Sequence, residues 1–193
     1  RAPDLPLVRH FCGRYSRRSF DLFAHLRDLE VRPELETDDP DLQASWLAWQ
    51  ALHWSSVRDL DTCKELIGRA RVLGRERAWV ISCEAHVRIA EDRWPQALAA
   101  AEVSWKESPG MPAAAAALGR SLARCGMLED AARRLGKAAM AGQSYEVCQI
   151  ACWYTCVMAE RAYPDGHLAW AERARELTDR MEKLAVLADR DVR

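Results

Sequence analysis

The chain has 193 residues, 49% of them hydrophobic by a broad count and 30% charged, with a formal net charge of -1. That is apolar material enough for a sizeable core and too much for a disordered chain. The charge balance lacks the basic excess that nucleic acid or an anionic membrane surface attracts, and no apolar run approaches the roughly 20 residues that span a bilayer.

In chain order, the opening RAPDLPLVRH carries neither a hydrophobic signal core nor an initiator Met, so it reads as part of a longer chain. Residues 5–30 predict one or two helices, with Phe20, Leu22, Phe23 and Leu26 apolar. In VRPELETDDPD, a loop, Asp39 caps a helix that opens at Pro40. From Ala44 the chain repeats with a period of 34, the copies starting at Ala44, Ala78 and Pro112. Superposed, Leu47, Ile81 and Ala115 coincide, then Ala51, Ala85 and Gly119, then Leu60, Trp94 and Leu128. Three further columns hold Cys63, Ala97 and Ala131; Ile67, Ala101 and Leu135; and Ala70, Ser104 and Ala138.

Each copy predicts two helices of about a dozen residues joined by a short turn. The small residue of the first helix sits where the second crosses it. The large residue at the turn closes the hairpin end, which makes Trp94, like Trp54, a core residue. Pro95 and Pro112 fall just inside helix starts, where a missing N–H costs nothing. The alanine-rich stretch from Pro112 is therefore a hairpin helix kept small so that neighbours can stack on it. SYEVCQIACWYTCVMAERAY, a PDG turn and a long second helix from His167 then predict a divergent fourth hairpin ending in a polar cap. The expected organisation is residues 1–43 as an N-terminal helical segment, three repeats at 44–77, 78–111 and 112–145, and the fourth repeat with its capping helix at 146–193.

The period, Leu118-Gly119 followed by Ala131 and Ala138, and Pro109 closing the middle copy resemble the tetratricopeptide repeat (TPR) family. The chain departs from that pattern where Gln50 and Glu84 stand in the column of Leu118, and where Arg75 and Gln143 replace the closing proline. The resemblance implies an all-α, right-handed α-solenoid of TPR-like hairpins, three regular and flanked by irregular helices. It also implies a concave groove where ligand chains lie. By those columns Trp49, Trp79, Ser82 and His86 line the groove, with Arg120 and Arg124 from the third repeat and Trp153, Cys156 and Glu160 from the fourth. The family's clamp for chaperone C-terminal carboxylates needs Lys and Asn, where this chain has Ser45, Ala48 and Leu52.

Other chemistry is sparse. Cys148, Cys152 and Cys156 are four residues apart and share a helix face, but they spread over about 12 Å, too far to grip one ion. The seven cysteines read as small buried hydrophobes in a reducing cytoplasm. The five histidines form no metal or nucleophile motif, and GRARVLGRER lacks the ending of a phosphate loop. No catalytic residue, metal or cofactor is expected. The expected function is a non-catalytic protein-interaction scaffold binding a peptide or partner helix, with no nucleic-acid or membrane partner. One alternative is a helical arm of a larger enzyme or regulator, whose catalytic domain lies in the same full-length chain. The other is an RNA-binding helical repeat, against which the near-neutral charge and the alanine-lined third repeat count.

Overall fold

A computed structural model describes residues 38–74 and 78–191, with side chains through residue 187. The helices expected within residues 5–30, and the positions of His10, Cys12, His25 and Arg75, lie outside the described residues. Among the described residues all regular structure is helical: α1 Pro40–Ser56, α2 Leu60–Leu73, α3 Ala78–Ala90, α4 Trp94–Glu107, α5 Pro112–Arg124, α6 Leu128–Ala141, α7 Tyr145–Arg161 and α8 His167–Asp191. They form four antiparallel hairpins of an α-solenoid. Each first helix packs on its own second helix and on the first helix of the next hairpin. No described helix is long and apolar enough to cross a membrane.

Local chemistry sets the helix starts. Asp39 accepts from the Asp41 N–H at 2.9 Å, with Pro40 in the first turn of α1. Asp59 caps α2 through the Thr62 N–H at 3.2 Å, and Ser144 caps α7 through the Val147 N–H at 3.3 Å.

The first three hairpins turn through one repeated motif. Arg58, Asp92 and Gly126 hold φ of 61°, 60° and 80°, the left-handed conformation that ends many helices. Their N–H groups donate to the carbonyls of Ser55, Ile89 and Ala123, and the next N–H groups reach back to Trp54, Arg88 and Leu122. These paired bonds make a Schellman cap, repeated every 34 residues (58, 92, 126). Only the third copy uses glycine. A left-handed L-residue costs about 1–2 kcal/mol. The exposed Arg58–Asp92 ion pair at 3.4 Å offsets little of that. Replacing both residues, Arg58→Gly with Asp92→Gly, is expected to stabilise the fold by about 1 kcal/mol after glycine's added unfolded-state entropy. A thermal melt rising by roughly 2–4 °C checks it, and a fall would mean that the ion pair outweighs the strain.

The core follows most of the repeat columns, with Leu60, Ile81 and Ala138 half-buried and Trp94 outside it. Leu47, Ala51, Cys63, Ile67 and Ala70 are buried, as are Ala85, Ala97, Ala101 and Ser104, and Ala115, Leu118, Ala131 and Leu135. Trp94 is instead 38% exposed, whereas Leu128, the first residue of α6 in the same column, is buried. Trp54 is half-buried and packs beneath the Trp46–Trp49 pair. The buried Ser82 and Ser104 hydroxyls lie 2.6 Å apart, both within reach of the Ala78 carbonyl, so one donates to that oxygen and the other to its neighbour. Between α4 and α6 the Glu102 and Arg134 side chains pair through two bonds, one at 2.7 Å, and the guanidinium holds the carboxyl below its usual range.

Candidate partner-binding face

Buried positions align the first helices. Val80 of α3 matches Ala114 of α5 at a step of 34 residues (80 to 114), and Ala114 matches Val147 of α7 at a step of 33 (114 to 147). The same steps carry Val87 to Ser121 and Tyr154, all buried. One column over, they bring Leu52, His86, Arg120 and Trp153 into a single line across the four first helices. Leu52 and His86 are half-buried, Arg120 is exposed, and Trp153 is 59% exposed. The open part of this face lies on α5 and α7.

The expected groove residues separate accordingly. Trp49 is 1% exposed, its ring 5.2 Å from Trp46 and edge-on to His53 at 4.1 Å. Ser82 is fully buried in its bond with Ser104. These two are core residues and present nothing to a ligand. Trp79 is half-buried, and its Nε1 donates to the Ser45 carbonyl at 3.1 Å, tying together equivalent positions of the first two hairpins. Arg120 and Arg124 are exposed one turn apart, neither in an ion pair among the described residues. Glu160 is exposed in the last turn of α7.

Tyr154 organises this region, and the sequence reading missed it. It is 4% exposed and lies in the space left by Gly119: a Cβ on that glycine would sit 2.4 Å from Tyr154 Cε2 and 3.0 Å from Leu135 Cδ1. The expected crossing at Gly119 thus exists, but its tightest contact is with the following hairpin rather than with its own second helix. Burial pushes the Tyr154 hydroxyl up to about 12, partly opposed by the nearby Arg120 charge. Trp153 stands edge-on against this ring, centroids 4.6 Å apart. Gly119 therefore seats Tyr154, and Tyr154 braces Trp153 in the column of Arg120. The one-residue change of step was the signal that could have found it.

The thiols show what four-residue spacing does on a helix. Each step of four advances about 40° around the axis, so Cys148 is buried, Cys152 half-buried and Cys156 exposed. Burial pushes the Cys63 thiol up to about 11 and the Cys148 thiol upward, so these two are protonated, unreactive thiols. Among the described residues no three His, Cys, Asp or Glu side chains converge on a point that could hold a metal ion.

No protein-family profile matches the chain. No curated protein matches its sequence. Its structure is similar to that of MamA, residues 41 to the end, from Desulfovibrio magneticus RS-1, with a TM-score of 0.54 and 15% identity over 93% of this chain and 97% of that one. A crystal structure of MamA gives 0.55 and 14% over 89% and 96%, and MamA MSR-1 C2 gives 0.51 and 14% over 91% and 97%. At such identities the likeness is one of fold, and the shared fold is a TPR-like array of helical hairpins.

Proposed function

We propose that this chain is a non-catalytic interaction module that holds a polypeptide segment of a partner protein against the α5–α7 part of its concave face. The observation that carries the reading is Trp153, a tryptophan 59% exposed and braced by a buried tyrosine, in line with Arg120, which is in no ion pair among the described residues. Rigid aromatics beside arginines are the residue types that dominate protein interfaces. Arg120 and Arg124, about 6 Å apart along the axis, supply donors to a carboxylate or to backbone carbonyls. Ala113 and Ala116 on the preceding turns leave a chain room to lie close. The thiols of Cys63, Cys125, Cys148, Cys152 and Cys156, none in a disulfide among the described residues, support a reducing cytoplasm as its location.

A photo-crosslinking residue at the exposed Gln149 would capture the bound segment and identify it. The double variant Arg120→Ala with Arg124→Ala is then expected to weaken binding of that segment several-fold, while the melting temperature stays within about 1 °C, as for exposed residues generally. Unchanged affinity, or affinity lost together with helicity, would move the site off this face.

A further inference from the structure

A second surface lies between α6 and α8, on helices that the concave reading leaves out. The α4–α6 seam is bridged by Glu102 and Arg134, and between α6 and α8 lies a cleft of about 610 Å³. Arg180 Nη2 donating to the Gly142 carbonyl at 2.7 Å ties the far end. Each wall presents one helical stripe: residues 133, 136, 137 and 140 on α6, spaced i, i+3, i+4, i+7, and residues 169, 170, 173 and 176 on α8, spaced i, i+1, i+4, i+7. Two such stripes facing one gap form a seat for a third helix. The floor is Leu177, fully buried, beside Gly136, whose missing Cβ would meet nothing within 4 Å. Met140 is 47% exposed at one lip. At the other, the Arg173 guanidinium lies 5.4 Å over the Trp170 ring.

The charge selects the occupant. Arg133 is bridged to Glu129 within α6. That leaves Lys137 and Arg173 on opposite walls, neither in an ion pair among the described residues, against the single carboxylate of Glu176. We propose that this cleft docks an acidic amphipathic helix of a partner protein. A large aliphatic side chain of that helix enters over Gly136 and Leu177, and flanking carboxylates meet Lys137 and Arg173.

The test uses the whole chain and three fluorescein-labelled, end-capped helical peptides, read by anisotropy. One has leucines at i, i+3, i+4 and i+7 with glutamates flanking them, one has lysines in place of the glutamates, and one is a scramble of the acidic peptide. The acidic peptide is expected to bind at least tenfold more tightly than the other two. Lys137→Glu with Arg173→Glu should lower its affinity at least tenfold at unchanged helicity. Gly136→Leu, filling the floor, should do the same, and Arg120→Ala with Arg124→Ala should change it less than twofold. Equal binding of the acidic and basic peptides, or indifference to the charge reversal, would overturn the proposal. So would sedimentation showing a dimer that the charge reversal dissociates, since the occupant would then be a second copy of this chain.

Discussion

Gly119→Leu is expected to destabilise the protein by about 1–3 kcal/mol or more, the range for forcing methylenes into a close-packed core. Two effects compete at this position. Removing a glycine from a helix interior gains roughly 1 kcal/mol in propensity. Against it stands a Cβ placed 2.4 Å and 2.8 Å from two atoms of a tyrosine ring that is 4% exposed. Tyr154 belongs to the same buried cluster as Leu118, Leu135 and Ala151, so the ring has little room to retreat. Overlap wins, and even Gly119→Ala is expected to lower the melting temperature. Gly136 is the internal control: it is also a helix-interior glycine, but its Cβ direction is empty, so Gly136→Ala should raise stability by roughly 0.5–1 kcal/mol. Thermal or denaturant melts in which both alanine variants rise would show that propensity, not packing, governs both.

Gly119 also shows how far the sequence could be read. Small residues recurring at 51, 85 and 119 mark places where helices meet closely, and a period of 34 with turns between is hairpin geometry, so the fold and three turns were legible. What a repeat column cannot say is which neighbour makes the contact. The approach to Tyr154 depends on the 33-residue step into α7, a deletion that a fixed period hides. Burial beyond the columns was equally hidden. Trp49 was expected in the groove and is core, because α1 keeps nearly all of its length from Ala44 to Ala51 buried. Trp94 was expected in the core and is 38% exposed, although Leu128 in the same column is buried. The α6–α8 cleft had no sequence signal at all. The pattern along one helix says which face is apolar, but not how far away the next helix stands.

Trp153→Ala is expected to weaken binding of the captured segment about thirtyfold or more, the effect of truncating a central aromatic anchor by 2 kcal/mol or more. Its cost to folding should be small. At 59% exposure the ring loses only its edge contact with Tyr154, worth about 0.5–1.5 kcal/mol. The loss in binding should therefore exceed the loss in stability, and Trp153→Phe should recover part of it while keeping the edge contact. Gly119→Ala separates support from contact. It leaves Trp153 and Arg120 in place chemically but displaces the ring that braces them, so it should weaken binding as well as folding. Isothermal titration at a temperature where every variant is folded distinguishes these outcomes. If Trp153→Ala binds as tightly as the parent while Gly119→Ala does not, the partner reads the position of α7 and not the tryptophan. The contact residues would then be sought among Gln149, Cys156 and Glu160, which are also exposed on that helix.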